Sequence, residues 1–197
     1  MGTRDRILDG AVDVMRTRGL ANTTTKEIAR AAGLSEAMLY KVFHDKLDLF
    51  LAVLEERLPR IVVLSDGLTE HVGRGTVAEG LRRLTAELLS FYLESFPIAA
   101  SVFSDPALLA RHREGLRERD TGPHRVVEGV AAYLSAEQRA GRITPTTQPH
   151  VLAELLVGAC LHRAFLVRFA GETILPDHIE RFAADVVSAL GPMVIGH

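Results

Sequence analysis

The sequence predicts an all-α protein of about nine helices. Of its 197 residues, 47% are hydrophobic but only 6% are aromatic, and tryptophan is absent. Leucine, valine and alanine must therefore fill most of the core. Runs of β-branched residues bounded by turn signals are nearly absent, and apolar residues instead recur at helical spacing. The length allows one domain, or a small domain followed by a larger one.

The first predicted helix runs from residue 3 to residue 18. Ile7, Ala11 and Met15 fall on one of its faces. Gly19 then supplies a C-terminal stop.

Two short helices follow the first. Thr24, with Glu27 three residues later, predicts a capping box for the second helix, and Gly33 ends that helix. Ser35 is a favourable N-cap for a third helix over 36–43. Because the turn between them is so tight, the two helices must cross steeply, which predicts a helix-turn-helix.

The remaining predicted helices are bounded mainly by prolines. A fourth helix begins near Asp45, and Pro59 is expected to kink or end it. A loosely specified connection is expected over 60–75. We expect Pro97 to end a helix over 77–95, with a short helix following to Phe103. Further helices are predicted over 107–119, 124–140, 149–170 and 176–190.

Charge and cysteine content restrict the functional classes. The net charge is −2, but residues 1–47 carry eight Lys and Arg against six Asp and Glu. DNA binding requires a local cationic face rather than a basic chain. A single cysteine, Cys160, excludes an internal disulfide and fits a reducing cytoplasm. The apolar stretch over 151–161 is interrupted by Glu154 and is too short to span a bilayer. We therefore expect a cytoplasmic protein without membrane contact, cofactor or metal site.

The predicted helix-turn-helix carries a pattern of specific residues. It reads Thr23-Thr24-Thr25-Lys26-Glu27-Ile28-Ala29 and then Ala32-Gly33-Leu34-Ser35, followed by Leu39-Tyr40, Phe43 and Lys46. This pattern, without insertion, resembles the DNA-binding head of the TetR family of bacterial repressors. The resemblance implies a DNA-binding domain over 1–47 and a helical ligand-binding and dimerisation domain over 48–197.

The resemblance also implies the roles of individual residues. Thr24, Tyr40 and Lys46 are expected to contact phosphates, and the first residues of the third helix are expected to face the major groove. The predicted DNA-binding residues are Thr24, Thr25, Lys26, Ser35, Glu36, Ala37, Met38, Tyr40, Lys41, His44 and Lys46. From the residues alone, three alternatives stay open: Thr24 is only an N-cap, Tyr40 is only a core aromatic, or Lys46 is a solvated surface lysine.

Two residues depart from the family pattern. Val42 stands where the family often has His or Tyr, and it cannot donate a hydrogen bond to a phosphate. Met38 replaces a small polar residue and offers only apolar contact, for example to a thymine methyl group. Lys41, directed at a guanine edge, is therefore the best single candidate for base reading.

The rest of the chain is expected to pair and regulate the head. The resemblance implies a homodimer through the helices at 149–170 and 176–190, and a pocket for an unknown small-molecule effector. The candidate pocket residues are Phe91, Phe96, Phe103, Tyr133, Leu161, His162 and Phe165, each of which equally suits an ordinary core. The predicted function is a repressor that binds a palindromic double-stranded DNA operator and is released by the effector.

Two other functional classes stay open. An enzyme is the first, but Gly73-x-Gly75 lacks the dinucleotide-binding spacing. Cys160 lies in an apolar helix, and the pair His124 and Glu128 is too small to form a metal site. The second is a protein of the same fold that has lost DNA binding, which the departures at Met38 and Val42 slightly favour.

Overall fold

The computed structural model describes residues 2–19, 22–57, 71–118 and 120–194, apart from the side chains of residues 101 and 192–194. Within these residues the chain is all-helical, which confirms the predicted fold class. The nine helices are α1 (Thr3–Arg18), α2 (Thr25–Ala31), α3 (Glu36–Val42), α4 (Lys46–Glu56), α5 (Val77–Val102), α6 (Pro106–Glu118), α7 (His124–Arg139), α8 (Pro149–Phe169) and α9 (Pro176–Val194).

The predicted N-caps of the short helices are confirmed. The backbone N–H of Glu27 donates to Oγ1 of Thr24, and the Thr24 N–H donates back to the Glu27 carboxylate, each at 3.2 Å. The Met38 N–H donates to Oγ of Ser35 at 3.2 Å. Each cap satisfies an N–H that its helix leaves unpaired, so these three- to four-residue signals fix where α2 and α3 begin.

The prediction that Pro97 ends a helix is wrong. α5 continues through Pro97 to Val102, and the short helix expected after it is the last part of α5. Proline has no N–H to donate to the carbonyl four residues earlier, which belongs to Leu93. The guanidinium of Arg168 on α8 donates to this carbonyl instead, from Nε at 2.8 Å and Nη2 at 2.5 Å.

Two predictions fall on residues that the structure does not describe. The effect of Pro59 on α4 lies outside the described residues, as does most of the connection expected over 60–75. The described end of that connection, residues 71–75, forms turns before α5.

The described chain divides into two compact units. The first contains the described residues of 1–59 and 95–120, and so combines α1 to α4 with the end of α5 and with α6. Its core includes Ile7, Met15, Ile28, Leu39 and Phe43, each at most 1% exposed. The burial of the α1 residues confirms the predicted inward face of that helix.

The second unit contains the described residues of 60–94 and 121–197. Its core is built mainly from leucine, valine and alanine of α5, α7 and α8. One carboxylate, Glu137, is fully buried in this unit. Nε of Arg142 lies 2.8 Å from it, in an ion pair that is not a linear hydrogen bond, and the Gly73 N–H donates to its other oxygen at 3.3 Å.

α8 is longer than the apolar stretch that the sequence suggested. It has 21 residues, and its most apolar window has a mean hydropathy of 1.5, so by length and composition alone it is able to cross a membrane. A core helix of a soluble protein meets the same criterion, and 39% of this window is buried within the structure. A single helix of this kind is weak evidence for a membrane span.

Candidate nucleic-acid interface

The turn between α2 and α3 is fixed by the first helix. Gly33 has a φ of +65°, a backbone conformation that glycine adopts without strain. The guanidinium of Arg6 donates to the carbonyls of Ala32 at 2.7 Å and Gly33 at 3.2 Å. A Cβ on Gly10 would lie 2.9 Å from the Ala32 backbone nitrogen. α1 therefore approaches the turn closely enough to set the angle between α2 and α3.

α3 is held by few residues and presents most of its surface outward. Leu39 is fully buried, and Phe43, just after the helix, is 1% exposed. The Arg4 guanidinium lies over the Phe43 ring, 4.6 Å from its centre. The residues predicted to face the major groove, Glu36, Ala37, Met38 and Lys41, are all exposed. A helix attached in this way can enter a DNA groove without giving up its own packing.

The predicted phosphate-binding threonines both contact carboxylates. Thr24 donates its hydroxyl to Glu27 at 2.9 Å while it caps α2. Oγ1 of Thr25 lies 2.5 Å from Oε1 of Glu36 and 3.3 Å from the hydroxyl of Tyr40. The structure therefore brings Thr25, Glu36 and Tyr40 together. The Tyr40 side chain is 48% exposed, which removes the alternative that it is a core aromatic.

Several cations of the head are held in ion pairs, whereas, within the described part of the chain, three lysines near α2 and α3 are not. The ion pairs join Arg4 with Glu56 at 2.6 Å, Arg18 with Glu27 at 2.7 Å, and Arg57 with Asp5 at 2.7 Å and Asp9 at 2.8 Å. Lys26 and Lys41 are exposed and have no ion pair among the described residues. Lys46 lies over the ring of Phe50, 5.1 Å from its centre. The cations near α3 are thus available to an external anion.

The loop between α3 and α4 is organised by Asp45. Its carboxylate accepts the Asp48 N–H at 2.7 Å, and this bond is the main reason why the pKa of Asp45 lies below its usual range. His44 and Arg111 also lower this pKa. The predicted DNA contact His44 is almost fully exposed beside Asp45, and Nη1 of Arg111 lies 4.0 Å from the same carboxylate. α6 therefore reaches the loop that follows the recognition helix.

The structure does not gather the predicted effector residues into one site within either unit. Leu161, His162 and Phe165 lie on the exposed side of α8, and Tyr133 is buried beside Glu137. Phe91 packs edge-on against Tyr92 in the second unit. Phe96 and Phe103 belong to the first unit, where Phe103 is 70% exposed. The effector site stays a prediction.

The second unit holds a buried thiol and a shallow groove. Burial raises the pKa of Cys160 to about 12, so this thiol is protonated, and it donates weakly to the Thr85 carbonyl at 3.6 Å. Burial also raises the pKa of Tyr92 to about 12.

A groove of about 350 Å³ lies between α5 and α9 and is lined by residues that include Arg82 and Ser188.

One face of α8 is apolar and exposed. Its residues are Val151, Leu155, Leu161, Phe165 and Phe169, of which Phe169 is 81% exposed. The opposite face, which includes Leu152, Leu156 and Cys160, is buried. The helix is therefore apolar on two sides, as the sequence indicated, and the described residues cover only one of them.

The candidate metal ligands noted in the sequence do not form a cluster. The Glu128 carboxylate pairs with Arg125 at 2.9 Å. Among the described residues, no group of three or more His, Cys, Asp or Glu side chains is arranged to hold a metal ion.

Comparison with known proteins identifies the family that the N-terminal segment matches. The family model "Bacterial regulatory proteins, tetR family" matches residues 7–53, the segment that contains α2 and α3. Residues 7–53 of the chain therefore match the DNA-binding segment of the TetR family. The regulator AcrR of Shigella flexneri is 34% identical to it over 102 residues, which are 44% of this chain and 47% of AcrR. The chain therefore spans about half the length of this curated relative.

Solved structures of transcriptional regulators share the fold over nearly the whole chain. A protein from Mesorhizobium loti, described as a TetR-family transcriptional regulator, superposes with a TM-score of 0.78 at 21% identity, covering 98% of this chain and 96% of that one. The regulator FadR from Bacillus subtilis, solved with stearoyl-CoA, gives a TM-score of 0.68 at 16% identity, with coverage of 94% and 96%. At these identities the similarity shows the fold alone.

Sequence reasoning missed two residues that position the TetR-family head. Gly10 in the middle of α1 was a detectable signal, because an internal helical glycine often marks a close backbone approach. Arg6 gave no local signal, since its partners are 26 and 27 residues away in the chain.

Proposed function

We propose that this protein is a ligand-responsive transcriptional regulator that binds a palindromic operator as a homodimer and represses transcription until a small molecule releases it. The observation that carries the proposal is the surface of α3. This surface exposes five of the seven helical residues, and the nearby Lys26 and Lys41 have no ion pair among the described residues. An exposed helix with available cations fits the phosphate-lined major groove.

In the proposed complex, α3 lies in the major groove and the surrounding residues bind the backbone. Tyr40, Lys26 and Lys46 supply the phosphate contacts, which set affinity rather than sequence preference. Lys41 extends from the same surface towards a guanine edge. Since Ala37 and Met38 offer no hydrogen-bond donor, few direct bonds read the bases.

The apolar face of α8 supports pairing with a second copy of the chain. A stripe of large apolar side chains along one exposed helix face is typical of a protein interface. A two-fold dimer through α8 and α9 would present two recognition helices to half-sites about 34 Å apart, one helical turn of DNA.

A pair of matched substitutions tests this interface. Leu155→Glu places a charge in the exposed stripe of α8, and we expect it to yield monomers in sedimentation velocity. Leu175→Glu changes an equally exposed leucine outside α8 and is expected to leave the dimer intact. A dimer that survives Leu155→Glu would contradict the proposed interface.

The second unit is the proposed location of effector binding. FadR from Bacillus subtilis, which shares the fold, was solved with an acyl-CoA bound. We propose that the effector binds best to a conformation in which the two DNA-binding heads of the dimer are too far apart or too close for the operator. The effector then lowers the affinity for the operator, and the operator lowers the affinity for the effector by the same factor. A coupling of about 2 kcal/mol would change operator affinity roughly thirtyfold. We propose that the protein acts in the cytoplasm, without a cofactor and not as an enzyme.

Selection from randomised DNA tests the DNA-binding proposal. The full-length protein is mixed with a duplex library whose randomised centre spans about two half-sites one turn apart, and the bound fraction is sequenced. We expect one palindromic sequence to be enriched. Lys41→Ala should weaken binding and relax the preference at one position of each half-site, whereas Arg139→Ala, which removes an exposed cation of α7, should change neither.

A TetR-family protein without DNA binding is the second candidate function. The absence of donors at Ala37, Met38 and Val42 favours it. In that case the library yields no enriched sequence, and Lys41→Ala and Arg139→Ala behave alike.

A further inference from the structure

Three side chains of α2 and α3 form one hydrogen-bonded chain. Oγ1 of Thr25 lies 2.5 Å from Oε1 of Glu36 and 3.3 Å from the hydroxyl of Tyr40. Thr25 is only 8% exposed, whereas Glu36 and Tyr40 lie on the outer surface of α3. One threonine of α2 therefore joins two residues on the surface that is proposed to face DNA.

The number of hydroxyl protons determines which residue is the donor in each of these two hydrogen bonds. A carboxylate accepts only, and a threonine hydroxyl has a single proton to donate. The hydroxyl of Thr25 is the donor to Oε1 of Glu36. Thr25 consequently donates to Glu36 and can only accept from Tyr40. In this arrangement neither hydroxyl directs a proton towards a phosphate oxygen, which is itself an acceptor.

The two hydrogen bonds differ in strength. A separation of 3.3 Å is long for a bond between hydroxyls, so Tyr40 can turn its proton towards a phosphate at little cost. Breaking the bond between Thr25 and Glu36 is costlier, because hydrogen bonds to ionised groups are the stronger kind. Thr25 therefore turns its proton to a phosphate at lower cost when another donor has reached the Glu36 carboxylate and replaces this hydrogen bond.

We propose that Glu36 is a specificity-determining residue of α3 and that it couples the reading of one base to a phosphate contact made by Thr25. This inference rests on the proposed DNA-binding function. Cytosine presents an amino donor in the major groove, and a carboxylate is its usual partner. When this amino group replaces Thr25 as the donor to Glu36, the threonine proton is released to the DNA backbone.

The coupling acts against DNA that lacks the amino group. On such DNA, Thr25 continues to donate its hydrogen bond to Glu36. The negative charge of Glu36 also stays close to the phosphates without a hydrogen bond from a base. The contact made by Thr25 is then lost together with the base contact. A single wrong base thus removes two interactions, which increases discrimination on a helix that otherwise has few groups able to read bases.

Two substitutions of Glu36 separate its charge from its hydrogen bonding. Glu36→Gln and Glu36→Ala both remove the charge, but only glutamine retains an oxygen that can accept from Thr25, and it can pair with adenine. The full-length variants are used in the selection from the randomised library. We expect the wild type to enrich cytosine at one position of each half-site. The glutamine variant should enrich adenine there, and the alanine variant should show no preference.

Substitution of Thr25 tests the coupling itself. The wild type and Thr25→Val are compared on the duplex enriched by the wild type and on a scrambled duplex of equal length. We expect Thr25→Val to bind the enriched duplex about tenfold more weakly and the scrambled duplex as well as the wild type does. In the Glu36→Ala background, Thr25→Val should weaken binding to both duplexes.

Controls keep the result interpretable. Thr25→Ser retains the hydroxyl and should behave as the wild type, and circular dichroism shows whether each variant is folded. An enriched sequence that is the same for Glu36→Ala and the wild type would overturn the proposal. So would a loss on the scrambled duplex that is equal in both backgrounds. If the wild type enriches no sequence, the proposed function itself fails and this inference falls with it.

Discussion

The proline inside α5 leads to a prediction about stability. Pro97 cannot donate a backbone hydrogen bond to the Leu93 carbonyl, and the Arg168 guanidinium donates to this carbonyl at 2.8 and 2.5 Å. We therefore expect Arg168→Met to destabilise the protein, because it removes both donors and keeps the apolar stem. Arg163→Met is the matched control, since Arg163 is an exposed arginine on the same helix.

The expected magnitude follows from the type of bond. A hydrogen bond from a charged group contributes about 1.5–3 kcal/mol to stability. Because the Arg168 side chain is largely exposed, solvent reduces this contribution, and we expect a loss of about 1–2 kcal/mol. Pro97→Ala restores an N–H that can reach the Leu93 carbonyl. We therefore expect Arg168→Met to cost about 1 kcal/mol less of the free energy of unfolding in the Pro97→Ala variant than in the wild type.

Urea denaturation of the four proteins of this cycle, followed by far-UV circular dichroism, measures the difference. The protein concentration is held constant because dimerisation also contributes to stability. An equal loss on Arg168→Met with and without Pro97→Ala would show that the guanidinium does not substitute for the missing N–H. A loss on Arg163→Met as large as that on Arg168→Met would refute the reasoning as well.

One further substitution in each unit tests its packing. Gly10→Ala places a Cβ 2.9 Å from the Ala32 nitrogen, so it should destabilise the head by about 1–3 kcal/mol in urea titrations and weaken operator binding. An unchanged free energy of unfolding for Gly10→Ala would argue against this close approach. Arg142→Met leaves the buried Glu137 carboxylate without its ion-pair partner and should lower stability by about 3 kcal/mol, a loss that the added substitution Glu137→Gln should partly reverse.

Local signals in the sequence were sufficient for the helices of the head. The capping residues Thr24 and Ser35 act within three residues of their partners, so their positions specify where α2 and α3 begin. The outward face of α3 was predicted from the family resemblance, and Glu36, Met38 and Lys41 on it are exposed.

Interactions between distant residues were not predictable from local patterns. Pro97 was expected to end a helix because proline lacks the N–H that the helix needs. The residue that compensates for it, Arg168, lies on α8, 75 residues beyond the Leu93 carbonyl to which it donates, so no local pattern reveals it. The bond between Thr25 and Glu36 also joins two helices and depends on the crossing angle set by the turn. Neither residue pair has a spacing that a helix or strand pattern would reveal.

The effector site could not be assigned for a different reason. Aromatic residues at helical spacing suit both a packed core and a pocket wall. Tyr133 lies in the core beside Glu137, whereas Phe165 lies on the exposed face of α8. The sequence pattern is the same for both, and only burial separates them.

The salt dependence of DNA binding tests the central claim most directly. The affinity of the wild-type protein for the enriched duplex is measured at a series of salt concentrations, together with the number of chains bound per duplex. We predict two chains per palindrome and an affinity that falls steeply with salt, with a logarithmic slope of about −0.9 for each phosphate neutralised. Binding that is absent, or that does not change with salt, would contradict the proposal that this surface holds the DNA backbone.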